Sequence, residues 1–259
     1  MIRVVGAGPG AVDLITVRGM ELIKHADVII YAGSLVNPEL LGFAKKAPQI
    51  FNSAHMTLEE VMYVMINADR EGKEVVRLHT GEPSIYGAVR EQMDILDREG
   101  IAYESCPGVS ACFGAAAGLN MEYTLPGVSQ TLIITRLEGR TEVPEKESMA
   151  SLAAHEASMA IYLSAGMTDR LSAELIKGGY KPDTPAAIVY KATWDDEKIV
   201  SGTVGNLHDM ALKEGIAKTA VVLVGDAVKC SAPERSKLYD PAFSTQYRKA
   251  STNAEGDRR

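Results

Sequence analysis

The chain holds no apolar run approaching the roughly 18 residues that a helix needs to cross a bilayer. Its opening, Met1-Ile2-Arg3-Val4-Val5, reads as a strand and lacks the layout of a signal peptide. A cytoplasmic location without membrane attachment is expected. Cysteine is scarce: Cys106, Cys112 and Cys230 are an odd number with no C-x-x-C pair, which excludes a disulfide framework. The five histidines, His25, His55, His79, His155 and His208, are scattered without zinc-type spacing, so no protein-held metal is expected. Positive charge is not in excess either. A formal net charge of −7 argues against a nucleic-acid binder that relies on a basic surface. A small anionic ligand stays possible, because a local cluster of arginines and lysines binds carboxylates whatever the global sign. No Ser-His-Asp or Cys-His set stands out as a nucleophile.

What is present is ordinary globular material: 46% hydrophobic and 24% charged residues in 259. That length suits one large α/β unit or two compact domains. Strand-like and helix-like segments alternate. Strands are expected at residues 2–6, 27–31, 74–79 and 101–105, and helices at 17–24, 57–70, 85–98 and 109–118. Thr57 and Glu60 form a candidate capping box, and Gly100 is placed to close a helix. Such βαβα order predicts a mostly parallel sheet covered on both faces. A second series follows, with strands at 131–135, 159–163, 186–190 and 221–224, helices at 168–177 and 204–214, and an extra strand or hairpin arm at 198–202. The fold class is α/β: two α/β domains, the first sheet mostly parallel and the second mixed, with the active site in the cleft between them. We place the first domain at 1–120, the second at 121–240 and a flexible tail at 241–259, and read 139–147 as a mobile surface loop.

Gly6-Ala7-Gly8-Pro9-Gly10-Ala11 fits the G-x-G-x-x-G/A pattern after a strand, which makes a nicotinamide or flavin oxidoreductase the first rival. Three details weigh against it. Pro9 removes a backbone N–H from a turn that would offer donors to a pyrophosphate. The helix begins only near Thr16, its N-cap, so the glycines do not deliver phosphate onto a helix terminus. The second strand ends in Tyr31-Ala32-Gly33-Ser34 and carries no acid for a ribose. A tight turn with no ligand remains the plain alternative.

A second motif, Thr80-Gly81-Glu82-Pro83-Ser84-Ile85-Tyr86, ends a strand with a small residue and a glycine, which lets a ligand approach the main chain at the edge where open α/β sheets bind. A capped turn without chemistry is again the alternative. The two motifs together, with Pro107-Gly108-Val109-Ser110-Ala111 as a third, resemble the tetrapyrrole methylase family, whose members carry G-x-G-P-G-D-P-x-L-[LI]-T, [ST]-G-D-P-x-[IV]-[YF] and P-G-[IV]-[ST]-[AS] in this order. The resemblance runs from residue 1 to about residue 228. Ala11-Val12 replaces the family's Asp-Pro, and Glu82 replaces its aspartate. Within the family the chain resembles the branch that methylates C-11 of precorrin-4 or cobalt-precorrin-4. The elements that carry this are Tyr31-Ala32-Gly33-Ser34-Leu35-Val36, 128–141 and Val189-Tyr190-Lys191-Ala192-Thr193-Trp194. Ala32 stands where the uroporphyrinogen-methylating branch has Asp.

The resemblance implies methyl transfer from S-adenosylmethionine to a ring carbon, giving precorrin-5 or its cobalt form in cobalamin biosynthesis. The protein's task would be to hold carbon and methyl at near-attack distance and to exclude water. The donor is expected near Pro9, Thr80, Gly81, Glu82, Ile85, Ser110, Ala111, Leu163 and Ala192. The ring's acetates and propionates need cations, preferably forked ones. Arg136, Arg140 and Lys191 are the candidates, with Tyr31 and Ser34 near the reacting edge. Glu82, Tyr31, Ser34 and His55 are candidates for catalysis; none is singled out as the base. The resemblance also implies a homodimer. Methylation at another ring position, an NAD or FAD oxidoreductase and a non-catalytic corrinoid carrier remain the competing readings.

Overall fold

The computed structural model describes residues 1–46, 48–229 and 236–251; Cys230 and residues 252–259 of the expected tail lie outside them, as does the side chain of Ser34. In chain order, β1 (Ile2–Gly6), α1 (Val17–His25), β2 (Val28–Tyr31), β3 (Gln49–Asn52), α2 (Leu58–Arg70), β4 (Val75–His79), α3 (Arg90–Glu99), β5 (Tyr103–Cys106) and α4 (Ala111–Gly118) make the first half. β6 (Leu132–Arg136), α5 (Met149–Ala153), β7 (Ser158–Tyr162), α6 (Thr168–Gly178), β8 (Pro185–Tyr190), β9 (Lys198–Thr203), α7 (Leu207–Glu214) and β10 (Ala220–Val224) make the second.

The first sheet has the order β3-β2-β4-β1-β5 and is parallel throughout. Alternation along its strands sends Val5, Ile29, Val76 and Leu78 to the face covered by α1, and Ile2, Val28, Ile30 and Val75 to the face covered by α2 and α3. The chain therefore leaves the neighbouring strands β1 and β4 toward opposite faces, and a crevice opens at their C-terminal ends. In the second sheet, β6-β7-β10-β8-β9, only β6 and β7 run parallel. α4 ties the halves together. Its Cys112, Ala115 and Ala116 are buried with Ala160, Val189, Val221 and Leu223 of the second sheet, so small residues let the helix lie close against it.

Local signals behave as their chemistry dictates. Thr57 and Glu60 form the reciprocal capping box of α2, the Thr16 hydroxyl accepts from Gly19 N at 3.1 Å to start α1, and Gly100 closes α3 in the left-handed region. One expected helix is shorter. The segment predicted as helix from residue 85 becomes helical only at Arg90, because Tyr86 and Ala88 adopt φ values of 55° and 48°. Gly87 lies so close to the Pro83 carbonyl that no Cβ fits between them. Strand β3 and helix α5 were not anticipated. Within 236–251, the Arg248 guanidinium gathers the carbonyls of Leu238 and Phe243 at 3.0 and 3.4 Å.

Candidate active site

Three loops at the C-terminal edge of the first sheet meet through their main chains. Ala7 N donates to His79 O at 2.7 Å, Gly8 N to Gly81 O at 3.3 Å, and Gly81 N returns to Gly8 O at 3.0 Å. A Cβ on Gly6 would lie 2.6 Å from both Gly81 O and Gly108 Cα. Glycine at these positions is therefore a requirement of close approach. Glu82 fastens the third loop. One carboxylate oxygen accepts from Gly108 N at 2.8 Å and the other from Ser84 N at 3.0 Å, so both are engaged by backbone donors.

The second half closes over this floor. The Tyr162 hydroxyl, at the end of β7, accepts from Cys112 N at 2.7 Å and lies 2.7 Å from Ser110 Oγ. A phenol from the second sheet thus caps the start of α4, where Ser110 occupies the N-cap without capping it. Burial raises the Tyr162 pKa, which keeps the phenol neutral. On the other side, the turn after β8 grips the glycine loop. Trp194 Nε1 donates to Pro9 O at 3.1 Å, and Ala11 N donates to Thr193 Oγ1 at 2.9 Å. Non-glycine residues with left-handed backbone gather here: Tyr86, Leu163, Lys191 and Thr193. Such geometry persists where surrounding structure holds it, and it clusters at ligand sites.

Three recesses join at Leu163, which is 67% exposed and lines all of them. The first, about 400 Å³, runs below Thr80, Gly81, Glu82, Ile85, Ser110 and Ala111. The second, about 310 Å³, is bounded by Pro9, Thr80, Ala111, Ala192 and Lys191. The third, about 710 Å³, lies between Tyr86 and the 136–141 loop and includes Arg136 and Arg140. All nine residues expected around the donor line one or both of the first two recesses. Thr80 Oγ1 is buried there without a hydrogen-bond partner. That orphan hydroxyl, beside main chain bared by glycine, suits a polar ligand of nucleoside and amino-acid size.

The other candidates separate. Arg136 spends its guanidinium on the carbonyls of Thr141 and Glu142, at 3.0 and 2.8 Å, and so shapes the loop. Arg140 is exposed and makes no hydrogen bond or ion pair among the described residues. Lys191 pairs with Asp196 at 2.6 Å and lies over the Tyr190 and Trp194 rings, and the ion pair raises its pKa. Tyr31 and His55 line none of the three recesses, Tyr31 packing partly against the α1-side core and His55 standing exposed. Among the described residues, no cluster of three or more His, Cys, Asp or Glu could hold a metal, and no helix is long and apolar enough to cross a membrane.

Sequence reasoning missed Tyr162 and Arg77 as parts of the site and took in Trp194 only within the element 189–194; His79, which from its place beside the second motif reads as a satisfied strand-end histidine, instead has Nε2 buried without a partner. Trp194 is the chain's single tryptophan, which is a signal in itself. Arg77 and His79 lie side by side on one face of β4 with 6% and 4% exposure. Burial lowers the Arg77 pKa to about 10, and burial together with the Arg77 charge lowers that of His79 to about 3.

A parallel sheet with glycine loops at its edge, closed by a mixed sheet over a three-lobed cleft, is the arrangement of a ligand-binding α/β protein. Residues 1–208 match the family described as Tetrapyrrole (Corrin/Porphyrin) Methylases, and the chain belongs to that family. It is 55% identical to a cobalt-precorrin-4 C(11)-methyltransferase of Methanocaldococcus jannaschii over 96% of each chain. It is 47% identical to the enzyme of the same name from Priestia megaterium, over 96% of this chain and 97% of the relative. A solved X-ray structure of a cobalt precorrin-4 methyltransferase, described as a cobalamin biosynthetic enzyme, superposes with a TM-score of 0.86 at 47% identity. That match covers 88% of this chain and 96% of the other.

Proposed function

We propose that this protein transfers the methyl group of S-adenosylmethionine to C-11 of precorrin-4 or cobalt-precorrin-4, giving precorrin-5 or its cobalt form, and that it works as a cytoplasmic homodimer. The observation that carries the reading is the convergence of the Gly6, Gly81 and Gly108 loops beneath a cleft walled by Leu163 and Ala192, in a chain 55% identical to an enzyme of that name. S-adenosylmethionine, when bound, supplies an electrophilic methyl group to an electron-rich ring carbon.

The chain's own residues bind and orient. Pro9, Thr80, Gly81, Ile85, Ser110, Ala111, Leu163 and Ala192 would hold the donor, with Glu82 setting the turn between Gly81 and Gly108. The neutral phenol of Tyr162 and the apolar walls keep water from the reacting centre. Arg140, without a partner among the described residues, is available at the rim for a ring carboxylate. No activated nucleophile is needed from the protein, since the ring carbon is the nucleophile.

The test incubates the protein with each precursor and methyl-labelled S-adenosylmethionine, followed by NMR assignment of the product. One label at C-11 is expected. Transfer to another carbon would reassign the ring position. No transfer, together with no heat of binding for S-adenosylhomocysteine, would overturn the reading.

A further inference from the structure

The first recess extends beyond the residues proposed to hold the donor. Its far side lies under α2 and α3, with apolar walls from Met56, Leu58 and Val61 and a polar base made by Arg77, His79 and Gln92. This lobe shares no residue with the second recess, where Pro9, Lys191 and Ala192 lie.

The base is incompletely satisfied. Arg77 Nε donates to Gln92 Oε1 at 3.1 Å and Nη1 to the Ile30 carbonyl at 3.1 Å. Nη2 is left over, and no carboxylate among the described residues pairs with this buried cation. Gln92 is committed through its amide as well, donating from Nε2 to Ala88 O at 3.0 Å, which fixes its oxygen toward Arg77. His79 Nε2 is buried with no partner, and its imidazole bonds to none of the described residues. Glu91, exposed at the rim, makes no ion pair with Arg77. A buried guanidinium without a counter-ion is costly, and so is a buried imidazole without a partner. An anion with two acceptor oxygens would relieve both.

We infer that Arg77 and His79, held by Gln92, form a carboxylate subsite at the base of the cleft, which receives one acetate or propionate side chain of the tetrapyrrole and so fixes which ring edge faces the donor. This rests on the functional reading above. It differs from the rim cations in kind. Arg140 contacts solvent, whereas Arg77 and His79 are buried, so this site discriminates by depth as well as charge. A neutral imidazole donates one hydrogen bond and the guanidinium a charged one, a geometry suited to a carboxylate at the end of a flexible arm.

The experiment uses Gln92→Glu and His79→Leu. Gln92→Glu gives Arg77 an internal counter-ion of nearly the same shape and closes the site, at the loss of the hydrogen bond to Ala88 O. The probes are uroporphyrin, a stable octacarboxylate macrocycle, the same macrocycle with its carboxyls converted to primary amides, and S-adenosylhomocysteine. Q92E should bind uroporphyrin about tenfold or more weakly than wild type, the magnitude of a lost charged hydrogen bond. Its affinities for the amide macrocycle and for S-adenosylhomocysteine should be unchanged. H79L should weaken uroporphyrin binding in the same direction. Equal uroporphyrin affinity in wild type and Q92E would overturn the subsite, and so would wild type that binds S-adenosylhomocysteine but no uroporphyrin. Loss of S-adenosylhomocysteine affinity alone in Q92E would move the anion site from the ring to the donor and overturn the assignment made here. Wild type that binds neither probe would overturn the functional reading itself.

Discussion

The indole nitrogen of Trp194 donates to the carbonyl of Pro9 at 3.1 Å, and the indole ring occupies the space that a side chain at Gly10 would need. One contact therefore joins the turn after β8 to the glycine loop after β1. A second hydrogen bond, from Ala11 N to Thr193 Oγ1, lies next along the chain.

Replacing Trp194 with Ala removes this clasp and leaves the Pro9 carbonyl to water. We expect a loss of about 2 kcal/mol in unfolding free energy, from lost packing and one hydrogen bond. Affinity for S-adenosylhomocysteine should fall about tenfold, read by calorimetry, because Pro9 and Trp194 border the same recess. Unchanged affinity would place the donor elsewhere.

Gly108→Ala puts a methyl against Gly81 O and 2.8 Å from Gly6 Cα. The floor has to part for it to fit. Overpacking of this kind costs roughly 1–3 kcal/mol or more. Donor binding should be lost before the fold is, as seen by comparing calorimetry with the urea midpoint. Wild-type behaviour in both would contradict the close approach.

Glu82→Gln keeps one acceptor oxygen and loses the other. Either Gly108 N or Ser84 N then lacks its partner, at a cost of about 1–3 kcal/mol. We expect a lower kcat/KM with an unshifted pH profile, since Glu82 acts through the turn it holds. A shifted profile would instead mark it as the proton acceptor.

Burial lowers His79 from 6.5 to about 3. The unfolded chain takes up this proton near pH 6.5 while the folded protein does not, so the unfolded state binds more protons between those values. Stability is therefore full above pH 6.5 and falls as pH drops toward 3, with a slope of at most about 1.4 kcal/mol per pH unit. His79→Gln should flatten that decline. Urea unfolding at pH 7.5 and 5.5 measures it, and identical slopes would show that the imidazole is solvated.

Much of this architecture was legible because its causes are local. The Thr57 and Glu60 pair, Thr16 and Gly100 act on their own turns, and the near-continuous burial of β1, β2 and β4 is that of a parallel sheet covered on both faces. β3 escaped notice because Gln49–Asn52 is a four-residue, largely exposed edge strand, held mainly by its register with β2. The helix expected over 85–98 begins late because Gly87 yields to Pro83 and Tyr86 turns left-handed, a tertiary demand that no helical pattern records. The loops that line the cleft could be named from their motifs. Tyr162 and the Arg77–Gln92 pair could not, since their roles arise only when α4 meets the second sheet and α3 covers β4.

Where Gly6, Gly81 and Gly108 touch, the cleft is paved with peptide groups. A peptide surface braced by strands has almost no rotamers to freeze, so an arriving molecule forfeits little disorder on landing there. Selectivity consequently falls to the side chains around that pavement, those at the rim and those at the base of the first recess alike.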